Sequence, residues 1–496
     1  MLIVAVFTLI IARYLSTKNG EVLVRGPFGI VHGSAMSCEG REVHAFRGVP
    51  FAEPPLGELR FRDPRVSTAP LDPDTIYDGT RPPAACIQLS DMVDRNAVSS
   101  SPCIWTGVRS GDMAEGDAPS WYRGREDCLS LSIWKPPGDC QSSGQRAVIF
   151  VVHGHFFQRS HVKNEGRCLA ALGDVVVVAP RYRLGVMGFL NAPPEAPGNV
   201  GLADLVLAMN WTKTYVQYFC GDATNIVALG HNSGASAVGY LLHNQPIFNV
   251  TRAILINETP FTRYFDNTIS ASSNVATVAK RLRCVSNATM QRVLHCIRNA
   301  SAVEVLESGV PGHIPVFFPS YNHPLMSFAP YDRGNLSRAV LMLPKNVSAD
   351  DADDILRSDV LHACPVRFYG KFLSRGFNRI SSFVLPRETL LRTEAAGKEA
   401  QRQGRDDDLE RALGTFLSDH PPGSDDGDRA RLSRALVVIW SSFAKAGRLP
   451  AVNNASWPRV TGYSFPVVSV TAKALTLLND SHRDERCQFL EPRLLL

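Results

Sequence analysis

The chain of 496 residues is 45% hydrophobic and 20% charged, enough apolar material for a large buried core and far from a disordered composition. Its net charge of +5 comes from 52 basic and 47 acidic residues scattered along the sequence. With no long basic run, that balance argues against nucleic acid or an anionic membrane surface as the partner.

Leu2 to Ala12 is a continuous apolar run closed by Arg13. Eleven residues are too few to span a bilayer and suit the hydrophobic region of a signal peptide. Because no basic residues precede the run, residues 1–16 read as a signal peptide or a signal anchor truncated at its cytoplasmic end. Residues 17–496 read as a single domain. Eleven cysteines are many for a chain that must stay reduced. Sequons begin at Asn210, Asn249, Asn257, Asn287, Asn299, Asn335, Asn346, Asn454 and Asn479. Chance would place roughly three in a chain of this length. Asn210 falls in a helical stretch, and the other eight are the expected glycan acceptors. Together these features point to secretion or to the extracellular face of the plasma membrane.

From Phe46 to Pro64 the chain is rich in proline and glycine yet apolar, which suits an ordered loop. A polar segment, Asp78 to Arg125, lies between Cys86 and Cys128. Glu126 to Trp134 alternates as a half-buried strand does. Ala147 to Val152 and Asp174 to Ala179 are continuous β-branched runs, the pattern of strands covered on both faces. Leu202 to Phe219 has helical period. Asn225 to Leu242 then gives an apolar strand over Ile226 to Leu229, a turn through Gly230-His231-Asn232-Ser233-Gly234, and a helix. Strand, glycine-bracketed turn and helix form the layout of a nucleophile elbow, with Asn232 where a serine belongs. The alternation predicts an α/β protein, a large and mostly parallel central sheet with helices on both faces. Further on, Thr393 to Arg429 reads as a charged surface segment and Leu432 to Ala446 as a helix carrying Trp440 and Phe443.

In motif order and spacing the chain resembles the type-B carboxylesterases and cholinesterases from about Gly26 onward. The matching pieces are Phe46 to Pro64, Glu126 to Leu131, Tyr182 to Gly185, Gly188 to Leu190, Pro197 to Asn199, Gly201-Leu202, Asp204, Gly221-Asp222, the Trp440–Phe443 helix and Cys487 to Phe489. The resemblance implies the α/β-hydrolase fold and three disulfides, Cys86–Cys128, Cys284–Cys296 and Cys364–Cys487. Cys38, Cys103, Cys140, Cys168 and Cys220 are left over, an odd number, so at least one thiol is free or pairs between chains. The resemblance also implies two structural ion pairs, Arg60 with Glu126 and Arg183 with Asp204.

It implies a degenerate catalytic site. The nucleophile position is Asn232. Asp408-Leu409 and Gly414 fix the register that places Arg405 at the base, and a guanidinium does not give up its proton at working pH. Counting on from the strand Arg338 to Leu343 puts the acid near Ser348, with Asp350 and Asp351 close by. In the oxyanion loop, His153-Gly154-His155-Phe156-Phe157, His155 and Phe156 replace two donor glycines; the third donor is the N–H of Ser233. Ser233 and Ser236 are weighed as displaced nucleophiles, but both should point into the helix. His155 and His231 lack a third ligand at metal spacing, so no metal or other cofactor is expected.

The expected function is therefore non-catalytic recognition or cell adhesion with an extracellular protein partner, as in the neuroligin, neurotactin and gliotactin type. The alternative is a ligand-sequestering protein or weak ester hydrolase, with Phe156, Phe157 and Trp121 near the old site. Only Ala349 to Ala363 separate the estimated acid from Cys364, several dozen residues fewer than the family has. The family's bundle homodimer is therefore not expected.

Overall fold

The computed structural model describes residues 15–16, 21–67, 76–89, 122–142, 144–160, 166–243, 248–262, 268–284, 289–309, 317–320, 338–343, 363–375, 379–384, 413–414, 417, 427–451, 457–471, 475–478, 485 and 487–488. Outside them lie Ser348, Asp350, Asp351, Arg405, Trp121, Cys103 and the sequons at Asn287, Asn335, Asn346, Asn454 and Asn479, as well as residues 344–362 between the last parallel-core strands.

The strands that carry the site are β1 (Ser130–Lys135), β2 (Arg146–Gly154), β3 (Val176–Pro180), β4 (Gly221–Asn232), β5 (Arg252–Ile256), β6 (Arg338–Leu343) and β7 (Arg379–Val384). The helices used below are α1 (Arg167–Gly173), α2 (Val200–Tyr215), α3 (Ser233–His243), α4 (Cys364–Ser374) and α5 (Gly427–Ala446). The main sheet has 14 strands. In its middle, β3, β2, β4, β5, β6, β7 and the strand Val467–Val470 run parallel in that order. An antiparallel N-terminal meander of Glu21–Gly26, Gly29–Cys38 and Arg41–Pro50 joins through β1 at one side.

The β-branched runs explain this core. Alternate residues of β2 enter two separate cores: Val148, Phe150 and Val152 face one, Ala147, Ile149 and Val151 the other. Leu202, Leu205 and Met209 of α2 and Leu241 of α3 close the first face. Leu169 of α1 and Leu436, Trp440 and Phe443 of α5 close the second. Each buried aliphatic side chain contributes about 1.5–3 kcal/mol by leaving water, so a strand buried on both faces is secured at every residue.

Three expectations shift. The strand expected from Glu126 starts only at Ser130, and it is not half-buried: Ser130 and Ser132 are 8% and 7% exposed. All six positions of β1 are buried, with α1 packed against the strand, so alternation in sequence does not become alternation in exposure. The helix expected to Phe219 ends at Tyr215, and a 3-10 turn, Val216–Phe219, carries the chain into β4.

The cysteines pair more fully than the resemblance implies. Cys86–Cys128, Cys284–Cys296 and Cys364–Cys487 are disulfides, and so are Cys38–Cys168 and Cys140–Cys220. Four of the five leftover cysteines are therefore bonded within the chain. Both ion pairs are also formed. Arg60 grips Glu126 through two 2.6 Å contacts and donates to the carbonyls of Arg298 and Ala300. Arg183 grips Asp204 at 2.9 and 2.7 Å, with Asp204 wholly inaccessible. Among the described residues no helix is long and apolar enough to cross a membrane.

Candidate functional site

β4 runs through His231 to Asn232, and α3 starts at the next residue. So tight a reversal needs close backbone approach on both sides. A Cβ on Gly230 would stand 2.4 Å from Ala235 Cα, and one on Gly234 would stand 2.3 Å from the Val152 carbonyl oxygen. Asn232 at the apex has φ 49°, the left-handed region that asparagine tolerates better than most residues. The elbow geometry predicted from the sequence is present, with an amide at its tip.

That amide is built into the wall. The parallel register pairs His231 with Ile256, and one step further brings Asn232 level with Asn257. Asn257 Nδ2 donates to Asn232 Oδ1 at 3.2 Å, and the two residues are 7% and 5% exposed. The sequon at Asn257 is thereby corrected: its amide nitrogen, the atom that would carry a glycan, is a buried donor. Asn249 and Asn299 are exposed, and so is Asn210 on the outer face of α2. The loop after Asn257 is tied down, with Ser236 Oγ donating to Thr259 O at 2.9 Å and Thr259 Oγ1 to Pro365 O at 3.3 Å.

Ser233 and Ser236 are both fully inaccessible. Ser233 Oγ accepts the Phe157 N–H at 2.9 Å. The Tyr182 hydroxyl nearby donates to His153 O at 3.2 Å, and burial raises its pKa far above the usual range. Neither serine hydroxyl is presented to a substrate.

The loop after β2 folds back on itself. The N–H of His155 donates to Arg159 O at 2.8 Å, and His155 O accepts from Gln158 and Arg159 at 3.0 and 3.2 Å. An oxyanion hole needs donors free to meet a developing negative charge; the His155 N–H is already held. Phe156 and Phe157 both have positive φ, 53° and 57°, where glycine would be unstrained. Phe156 stays partly exposed beside the His155 ring, whereas Phe157 is wholly buried against Phe189. The Phe157 side chain is core.

An amide has no hydroxyl to activate, and both nearby hydroxyls are buried and hydrogen-bonded. Among the described residues no group of three or more His, Cys, Asp or Glu side chains is placed to hold a metal. Reading the sequence alone misses Asn257 as the partner of Asn232. It also misses Glu258, which is 4% exposed directly after it. The signal was a polar Asn-Glu-Thr ending an apolar strand, which marks a strand end at the sheet's carboxyl edge.

The family model described as "Carboxylesterase family" matches residues 20–358. Acetylcholinesterase from Bungarus fasciatus is 32% identical over 286 residues, 55% of this chain and 43% of that protein. Acetylcholinesterase from Electrophorus electricus is 32% identical over 256 residues, 50% of this chain and 37% of that one. Carboxylesterase 3 from Homo sapiens is 32% identical over 247 residues, 48% of this chain and 40% of that one. The chain thus spans less than half the length of these curated relatives.

Proposed function

The chain belongs to the carboxylesterase family, and from that footing we propose that it is a member without ester turnover, whose fold serves extracellular recognition or adhesion. The observation that carries this reading is Asn232 at the apex of the elbow, its amide buried and bonded to Asn257. The occupied His155 N–H and the buried Ser233 hydroxyl support it further. The relatives named above are esterases by name, and a chain that keeps their fold without a presented nucleophile can still offer its surface. The resemblance places Arg405 at the base, where a guanidinium keeps its proton, and the acid near Ser348, with Asp350 and Asp351 close by. The partner is an extracellular or cell-surface protein.

A second reading is retention of a ligand without turnover, favoured by the partly exposed His155–Phe156 pair beside the elbow. The two readings separate on living cells. Crosslinking of the glycosylated chain should yield a reproducible cell-surface partner that excess soluble chain displaces. Capture that excess chain does not displace, or none at all, would sink the recognition reading.

A further inference from the structure

The amino edge of the parallel core, opposite the elbow, gathers arginines that are scattered in the sequence. Register sets Arg252, Arg338 and Arg379 level at the first positions of β5, β6 and β7. Adjacent strands lie about 4.8 Å apart, so three level starts span about 10 Å. Arg252 is held at the end of α5, where its Nη1 donates to the carbonyls of Phe443 and Ala444 at 3.1 and 2.9 Å. The Gly447 N–H donates to Phe443 O at 2.8 Å, which leaves the exposed Arg448 beside that helix end. Trp457 Nε1 donates to Pro450 O at 2.6 Å, drawing together the two arms that carry Arg448 and Arg459. The Val460 N–H donates to Ile380 O at 2.9 Å, so Arg459 stands beside the start of β7. Arg375, directly after α4, lies over the next turn, where a Cβ on Gly462 would be 3.7 Å from its Cγ.

Among the described residues, Arg379, Arg448 and Arg459 are exposed and form no ion pair. The stretches that build this edge hold no carboxylate side chain: residues 223–257, 333–349, 360–387 and 429–479 contain neither Asp nor Glu. Two acidic residues enter the same edge from other strands, and both are engaged. Asp174 is met by Arg146 at 2.8 Å and Lys445 at 3.5 Å. Asp222 accepts the Thr224 N–H and hydroxyl at 2.8 and 2.7 Å. Tyr463, 97% exposed, tops the turn beside Arg375. Thr461 Oγ1 locks that turn by accepting the N–H of Tyr463 at 3.3 Å and of Ser464 at 2.9 Å. Like charges gathered on one edge repel, and a polyanion relieves that repulsion while releasing its own counterions. Guanidinium nitrogens match paired anionic oxygens in one plane. An exposed ring among them suits the C–H face of a sugar.

We infer that this edge, through Arg379, Arg448, Arg459 and Tyr463, binds a sulfated polysaccharide. The site itself rests on charge and register. The choice of a polysaccharide over other polyanions rests on the extracellular placement proposed above.

The test is fluorescence anisotropy of a labelled heparin decasaccharide titrated with the full chain. Saturable binding is expected, with an affinity that falls steeply as salt rises from about 50 to about 200 mM. Arg379→Gln/Arg448→Gln/Arg459→Gln should weaken it about tenfold or more and lower the salt slope by about one per arginine. Tyr463→Ala should weaken binding and leave the salt slope unchanged, because no ionic contact is lost. Arg65→Gln/Arg283→Gln/Arg292→Gln removes the same charge from exposed positions elsewhere and should matter far less. All these side chains are exposed, so the variants should melt with the wild type. Absence of saturable binding would overturn the site, as would binding undiminished by the edge triple or by Tyr463→Ala. So would a control triple that weakens binding as much as the edge triple. Tighter binding of a single-stranded oligonucleotide of equal charge, or of phosphatidylserine vesicles, would overturn the choice of polysaccharide. Sequons at Asn249, Asn335 and Asn454 lie within a few residues of these arginines in sequence. The titration is therefore repeated after enzymatic removal of N-glycans, and binding that appears only then would also overturn the site. Because the probe is an oligosaccharide, failure here leaves the protein-partner reading to its own crosslinking test.

Discussion

Asp204→Ala is expected to lower the unfolding free energy by about 3–5 kcal/mol, the usual cost of removing one partner of a buried ion pair. Asp204 is fully inaccessible and Arg183 is 4% exposed. The carboxylate accepts three bonds from Arg183, at 2.9 and 2.7 Å from the guanidinium and 3.0 Å from the backbone N–H. Truncation leaves that guanidinium buried, with only the Arg62 carbonyl at 2.8 Å still receiving it. Domains hold only about 5–15 kcal/mol in total, so this one change should remove a large fraction. Replacing both partners by apolar residues of similar volume, Arg183→Met with Asp204→Leu, should cost less than the single change. Denaturant midpoints of the three variants check this, and a double variant as unstable as Asp204→Ala would contradict it.

The second large effect belongs to a disulfide that the resemblance did not imply. Cys38–Cys168 closes 130 residues, fastening the end of the strand Gly29–Cys38 to α1. In the chain-entropy account a loop that long is worth about 5 kcal/mol, against about 3 kcal/mol for the 12-residue separation of Cys284–Cys296. Alanine suits both buried positions, since serine would bring in an unpartnered hydroxyl. The Cys38→Ala/Cys168→Ala pair should therefore lose about 2 kcal/mol more than Cys284→Ala/Cys296→Ala in denaturant melts under non-reducing conditions. Equal losses would show that strain or residual unfolded structure outweighs loop length.

How much could be read from the sequence depends on how local each feature is. The runs at Val148–Val152 and Val175–Val178 announce buried parallel strands because every position is apolar. The elbow is legible because its two glycines answer a steric demand within a few residues of Asn232. Features set by register are not legible. Asn257 stands 25 residues beyond Asn232, and only the β4–β5 pairing brings them together. The same is true of Cys38 and Cys168. A sequon is equally blind to burial: Asn257 and Asn249 read alike, yet the first points into the core and the second is exposed. Ser130 and Ser132 mislead in the opposite sense, since serines at alternate positions suggest a wet face that is in fact buried.

The most direct measurement is turnover of p-nitrophenyl acetate by the purified wild-type chain and by Asn232→Ser, each followed by labelling with an organophosphate and peptide mapping. Both proteins should stay at the buffer rate and take no label. The wild type has no presented hydroxyl, and the variant still has its His155 N–H bonded to Arg159, when loss of one oxyanion donor alone costs about 10²–10³ in rate. Saturable hydrolysis by the wild type, with label on Ser233 or any other residue, would contradict the account.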